Sequence, residues 1–235
     1  MTPVEALGIA ETNPIWLIVL SGVLAFLPIV VGMGTSYVKV SIVLGMVRNA
    51  IGAQQVPGPM VSMALAAGLS LYIMQPVLIE SAANLEDISL SDLTNLPQKD
   101  TVDRFIGVLD PWRRFLEAHV GEREKIAFEQ LRQNTPRDDS KSLTAKQEGS
   151  QRISWSVLLP AFVVTELKEA FAMGFAILLP FVVIDLIVAN ILVGMGMYMV
   201  SPFMISLPIK LLLFVVSDAW LLLSKGLIGS YSVVQ

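Results

Sequence analysis

Residues 161–183 read AFVVTELKEAFAMGFAILLPFVV, an apolar run in which charge is confined to three positions, Glu166, Lys168 and Glu169. A helix of about 20 apolar residues spans the roughly 30 Å of hydrocarbon in a bilayer. Further runs of this kind occupy residues 15–33, 60–79, 186–207 and 211–228. The sequence therefore predicts several membrane-embedded α-helices.

The composition of the whole chain favours the same class. Of the 235 residues, 54% are apolar and 15% are charged, whereas a soluble domain has about 25% charged residues. The net charge is −4, so no overall basic field favours nucleic acid as a partner. Prolines interrupt the apolar runs, and a broken helix in a membrane must pack against protein or line water. The predicted fold is all-α, an integral membrane protein of helical hairpins with kinked or broken helices and a small helical polar domain.

Charge is concentrated between residues 80 and 152, which hold 25 of the 36 charged side chains. This pattern divides the chain into N-terminal hydrophobic helices (1–79), a polar and mostly helical region (80–152) with a flexible linker at 135–151, and C-terminal hydrophobic helices (153–235) with a Met-rich loop. Lys39 and Arg48 lie between the first two runs with no acidic residue, which favours the cytoplasmic side for that loop. The polar region is then extracytoplasmic.

Enzymatic chemistry has few candidate residues in this sequence. The chain has no cysteine and one histidine, so it offers neither a thiolate nor a multi-histidine metal site. His119 lies on the apolar face of a predicted helix and is interpreted as a packed histidine. We therefore expect no catalytic residues, no metal and no cofactor.

Several ionisable side chains stand in or beside the apolar runs, where a charge costs about 2.5–3.5 kcal/mol at mid-bilayer. One interpretation makes Asp185 and Asp218 ion or proton relays of a secondary transporter or ion channel. The other makes these groups contacts between helices or subunits, or polar walls of a channel. The residues concerned are Lys39, Arg48, Glu166, Lys168, Asp185, Lys210 and Asp218.

The segment 193–202, VGMGMYMVSP, carries methionines at alternate positions: Met195, Met197 and Met199. In an extended conformation these three side chains would point the same way. Because methionine is flexible and polarizable, a ring of such side chains from several subunits could close a pore softly and yield to a passing chain. The alternative is ordinary filling of gaps in a helical bundle.

Three long stretches resemble the FliP/SctR family: residues 34–57 (GTSYVKVSIVLGMVRNAIGAQQVP), 166–190 (ELKEAFAMGFAILLPFVVIDLIVAN) and 200–220 (VSPFMISLPIKLLLFVVSDAW). Residues 112–119 (WRRFLEAH) give a weaker fourth match. The sequence of residues 35–39, TSYVK, favours the injectisome branch of the family over the flagellar branch. The chain departs from the family pattern at two places. It has Pro57-Gly58-Pro59 where the family commonly has Pro-Pro-Asn, and it has Tyr198 where the family commonly has a third methionine.

The resemblance implies a non-enzymatic core subunit of the type III secretion export gate, a gated channel for unfolded protein substrates. Several copies would assemble with SctS-type and SctT-type proteins into a helical, funnel-like oligomer in the bacterial inner membrane. An SctU-type export switch protein and secreted substrates would be further partners. The polar region would be periplasmic, and the assembled complex would lie partly above the bilayer plane.

The family's methionine gasket falls on Met197, Tyr198 and Met199, with Met195 beside it, and these residues are expected at the channel constriction. The resemblance leaves the charged residues between two expected roles, subunit contacts and polar channel walls.

Overall fold

The part of the chain that the structure describes is built from helices. The computed structural model describes residues 32–52, 58–86, 99–134 and 153–232, together with 21, 22 and 25. The helices are α1 (Tyr37–Ile51), α2 (Pro59–Glu86), α3 (Lys99–His119), α4 (Glu122–Asn134), α5 (Trp155–Gly194), α6 (Pro202–Val216) and α7 (Ala219–Ser232). No β-strand occurs within the described ranges, which confirms the all-helical prediction. The predicted span at 15–33 lies almost wholly outside those ranges, and the predicted linker at 135–151 lies entirely outside them.

Helix α5 is the longest of these helices, with 40 residues. It joins the run at 161–183 to the first part of the run at 186–207, because Asp185 is accommodated within the helix. Pro160 and Pro180 also lie inside α5, and Pro76 lies inside α2. Both α2 and α5 are long and apolar enough to cross a membrane.

Helices α6 and α7 form a bent pair whose axes differ in direction by 62°, and together they are a third candidate span. The break lies at Asp218, which takes a left-handed φ of 49°. The carbonyl of Asp218 accepts hydrogen bonds from the N–H groups of Leu221 and Leu222 at 3.0 and 3.1 Å, which starts α7 in its new direction. The prediction of kinked or broken helices is thus confirmed, but this break is at an aspartate, while Pro208 lies inside α6.

Helix α1 lies at the centre of the larger hydrophobic core. Its residues Val40, Val43, Leu44 and Val47 are all buried. Their spacing of i, i+3, i+4 and i+7 gives one continuous apolar face. The main contact of α1 is with α5, and it also packs against α2 and α6.

A second core joins the polar region to the apolar helices. Phe115 of α3 packs with Leu158 and Phe162 of α5 and with Tyr231 of α7. His119 lies at the end of α3, with its ring centroid 4.5 Å from that of Phe115 and 5.1 Å from that of Tyr231. Helix α3 also packs against α2, and α4 packs against α5. The described part of the polar region therefore shares its core with the membrane helices.

Candidate functional site

The predicted Met-rich segment is an exposed loop between α5 and α6. The exposed fractions are 60% for Met195, 42% for Met197, 78% for Tyr198 and 100% for Met199. The backbone turns here instead of running extended, because Gly196 takes a left-handed φ of 75°. The N–H of Met197 donates to the Leu192 carbonyl at 2.9 Å, so the loop folds back onto the end of α5. These side chains are displayed on a turn at the tip of a helical hairpin.

The base of this hairpin is closed by polar contacts across α5 and α6. Ser206 Oγ donates to one carboxylate oxygen of Asp185 at 2.6 Å, and Lys210 Nζ donates to the other at 2.6 Å. The same Lys210 ammonium donates to the carbonyl of Ala50 at 3.3 Å. Lys210 is buried, and its two hydrogen-bond partners come from α5 of the same hairpin and from α1. The predicted residues Asp185 and Lys210 are thus brought together within one chain.

A close aromatic contact holds the hairpin to the end of α1. Gly52 ends α1 with a left-handed φ of 80°, and its N–H donates to the Arg48 carbonyl at 3.3 Å. A Cβ added at Gly52 would lie 2.5 Å from the ring of Phe203. Glycine is needed here both for the backbone conformation and for the close approach of Phe203. The first turn of α6 is therefore seated on the C-terminus of α1.

The second charged cluster is buried between α1, α5 and α7. Lys39 Nζ lies 3.3 Å from Glu166 Oε1 and 2.7 Å from Glu169 Oε2. The hydroxyl of Tyr231 donates to Glu166 Oε2, and the Lys39 ammonium lies 4.0 Å from the Tyr231 ring centroid. Lys39 and Glu166 are buried, and Glu169 is half exposed. The predicted residues Lys39 and Glu166 therefore pair within the chain.

The predicted residue Lys168 lies on the outside of α5 and contacts the polar region. Its ammonium donates to Glu124 of α4 at 2.9 Å. This hydrogen bond is the main reason why the pKa of Glu124 lies below its ordinary value. A lowered carboxyl pKa means that the contact is fully formed at neutral pH and is lost only as the pH falls through that pKa.

Two predicted residues lie apart from these clusters. Asp218 is exposed at the bend between α6 and α7, and Arg48 is half buried in the last turn of α1. Neither side chain has an ion-pair partner among the described residues. Asp185 is bound to Ser206 and Lys210, not to Asp218. The structure therefore does not join the two aspartates into one relay.

Three side chains that complete these clusters were not singled out in the sequence. Ser206 could have been found, because it stands one helical turn before Lys210 and so shares its helix face. Tyr231 and Phe203 carried no such signal, since their partners, Glu166 and Gly52, are distant in sequence. Among the described residues no group of three or more acidic or histidine side chains could hold a metal ion.

Large apolar side chains cover the outer faces of three helices. On α2 they extend from the first turn to beyond its middle, on α5 they extend from Phe171 towards the C-terminal end, and on α6 they include the last turn. Those at least half exposed include Met60, Val61, Met63, Leu71, Tyr72, Ile79, Phe171, Phe175, Leu186, Ile187, Ile191, Leu212, Val215 and Val216. An apolar surface of this extent needs lipid or other protein to cover it.

Known proteins match this chain over nearly its whole length. The family model described as the FliP family matches residues 20–227. The Yop proteins translocation protein R of Yersinia pestis is 44% identical over 218 residues, covering 92% of this chain and 95% of the relative. The surface presentation of antigens protein SpaP of Salmonella typhi is 40% identical over 223 residues, covering 93% and 97%. The hypersensitivity response secretion protein HrcR of Ralstonia nicotianae is 39% identical over 216 residues, covering 92% and 96%.

Proposed function

The chain belongs to the FliP family, and from that premise we propose that it is a core subunit of the export gate of a type III secretion system. The family, the relatives' names and the apolar helices indicate that the protein is a membrane component of a secretion apparatus. Within that apparatus, we propose that the protein forms part of a gated channel for unfolded proteins across the bacterial inner membrane. Its partners are further copies of this chain, SctS-type and SctT-type proteins, an SctU-type switch protein and the secreted substrates. The polar region is proposed to be periplasmic.

The observation that carries the proposal is the loop of exposed Met195, Met197, Tyr198 and Met199 at the hairpin tip. Exposed large apolar side chains in a cluster mark a surface that other protein or lipid covers. Methionine has no branch at Cβ and rotates about three bonds, so it fits irregular partners. Several copies of this tip around an axis would form an apolar ring that seals against ions. The ring would deform around a passing chain, because its side chains and not its backbone would move.

The contacts at the hairpin base support a gate in which the base is rigid and the tip moves. Asp185, Ser206 and Lys210 tie α5 to α6, and the Phe203 ring fits closely over Gly52. Hydrogen bonds to charged groups contribute about 1.5–3 kcal/mol each, so the base is the rigid part. A rigid base with a flexible tip is the arrangement that a reclosing gate requires.

The transporter alternative requires titratable groups that are free to exchange ions or protons. Both carboxylate oxygens of Asp185 are engaged, one by Ser206 and one by Lys210. Asp218 is exposed on a bend and makes no contact with Asp185. No observation in the described residues favours this alternative over the export gate.

Replacing Met197 and Met199 together by alanine should raise the passage of small ions through the assembled complex. Alanine removes the two thioether side chains and leaves an opening that Tyr198 alone does not fill. The measurement is the conductance of purified complex in planar bilayers, with dye leak from liposomes as a second readout. We expect an increase of at least several-fold over the unmodified complex.

The matched control is the pair Met60→Ala and Met63→Ala, which removes two exposed methionines from α2. Native mass spectrometry of each preparation establishes that a multi-copy complex with small membrane partners is present. Unchanged conductance of an intact Met197→Ala/Met199→Ala complex would count against the constriction. A stable lone monomer that transports a small ion would contradict the export-gate proposal altogether.

A further inference from the structure

The hairpin tip presents thioether sulfurs to solvent on a loop that has room to move. Met195, Met197 and Met199 are 60%, 42% and 100% exposed. Gly194 and Gly196 on the same loop have no atom within 4 Å of an added Cβ. Elsewhere in the described chain, Met74 is buried in the second core. The tip therefore combines chemical access with conformational freedom.

Thioethers are the side chains of this chain that hydroperoxides oxidise most readily, since it contains no cysteine. We propose that Met197 and Met199 are sites of reversible oxidation by hydroperoxides, and that their oxidation opens the gate to small ions. This inference rests on the proposed export-gate function and adds a regulation of the same site. The chemical class of the reactant is a hydroperoxide, with hydrogen peroxide as the simplest member.

The reaction balances without any further reactant. The thioether sulfur attacks one oxygen of hydrogen peroxide and forms the S–O bond as the O–O bond breaks, and the proton of the transferred oxygen passes to the departing hydroxide, which leaves as water. The sulfur is oxidised by two electrons to the sulfoxide, and the peroxide is reduced by two. Methionine sulfoxide reductases reverse the change with electrons from a thiol, one enzyme for each sulfoxide epimer.

The physical consequence follows from the change in polarity. A sulfoxide converts an apolar, flexible side chain into a polar and chiral one, which disrupts surfaces made of methionine. An apolar constriction excludes ions because it cannot hydrate them, and hydrophobic constrictions gate by dewetting. Sulfoxide oxygens at the tip would hold water in the constriction. Tyr198 is not converted by this chemistry, so the apolar seal would be lost only in part.

The test treats the purified, assembled complex with hydrogen peroxide and follows two readouts. Peptide mass spectrometry should show several-fold more sulfoxide at Met199 than at the buried Met74. Bilayer conductance should rise with the same time course and should fall again after both sulfoxide reductases and a thiol are added. The variant Met197→Leu/Met199→Leu keeps the apolar volume but cannot be oxidised, so its conductance should not respond to peroxide.

The matched control is Met60→Leu/Met63→Leu, which removes exposed methionines outside the loop and should respond to peroxide like the unmodified complex. Three results would overturn the inference: an unoxidised loop beside oxidised Met60, a loop sulfoxide without a change in conductance, or an equal response from the Met197→Leu/Met199→Leu variant. If the Met197→Leu/Met199→Leu variant already conducts before peroxide is added, the test is the unmodified complex, whose conductance should fall again after the reductases are added. A complex that conducts fully before oxidation instead contradicts the proposed gate.

Discussion

Replacement of Lys39 by methionine should destabilise the folded chain by about 3–5 kcal/mol, the cost of removing one partner of a buried ion pair. Glu166 is completely buried, and among the described residues its Oε1 atom accepts no hydrogen bond. The Lys39 ammonium at 3.3 Å is the charge that compensates this oxygen. Methionine leaves the carboxylate with the Tyr231 hydroxyl as its remaining polar contact. We expect a strongly reduced amount of protein in the membrane fraction and a lower melting temperature of the purified chain.

Lysine 168 provides the matched control for this change. The substitution Lys168→Met also removes an ammonium from an ion pair, but Lys168 is 59% exposed, against 1% for Lys39, and its partner Glu124 is 15% exposed. Ion pairs that solvent reaches contribute little to stability, so this variant should melt much closer to the unmodified protein than Lys39→Met does. The double variant Lys39→Met/Glu166→Leu should recover much of the loss, because no buried charge is left unpaired. Equal melting temperatures for Lys39→Met and Lys168→Met would contradict the claim that the buried Lys39–Glu166 pair stabilises the fold.

Gly52→Ala should also have a large effect, although it adds only one methyl group. A non-glycine residue in the left-handed region costs about 1–2 kcal/mol. Placing Cβ 2.5 Å from the Phe203 ring adds overpacking, which typically costs about 1–3 kcal/mol. Because Phe203 belongs to the first turn of α6, we also expect a displaced hairpin. The measurements are thermal unfolding of the purified chain and the rate of limited proteolysis in the loop.

Gly45→Ala is the control, since Gly45 lies inside α1 and an added Cβ there would meet nothing within 4 Å. Alanine in a helix interior is favoured over glycine by roughly 0.5–1 kcal/mol, so this variant should be slightly more stable. Gly196→Ala separates the two costs, because Gly196 has a left-handed φ but open space around it. A Gly52→Ala protein that melts like the Gly45→Ala protein would show that α6 is not seated on α1.

The sequence was sufficient for the class of fold, while the roles of the site residues stay predictions. Apolar runs at 60–79 and 161–183 correspond to α2 and to part of α5, because hydrocarbon thickness sets the length of such runs. The charges within apolar sequence also indicated contacts with protein or water. In the structure, Lys39, Glu166, Asp185 and Lys210 all have partners inside the chain.

The partners of the buried charges and the position of the bend between α6 and α7 could not be predicted from the sequence, each for its own physical reason. Lys39 and Glu166 meet because α1 packs on α5, and nothing local in the sequence encodes that crossing. Asp185 lies between the predicted apolar runs at 161–183 and 186–207, but two partners on α6 stabilise it within a continuous helix. The sharp turn at Asp218 depends on a left-handed residue, which is uncommon outside glycine. Four of the prolines that interrupt the apolar runs lie inside helices instead: Pro76, Pro160, Pro180 and Pro208.

Photo-crosslinking to a substrate stalled in transit tests most directly whether the loop at 195–199 lines the export path. A photoreactive amino acid would replace Tyr198 in one version of the chain and Tyr72 in another. Both tyrosines are well exposed, at 78% and 61%, but Tyr72 lies on the outer face of α2. The account predicts a strong crosslink from position 198 to the stalled substrate and none from position 72. Crosslinks from position 72 alone, in a complex that still secretes, would contradict the account.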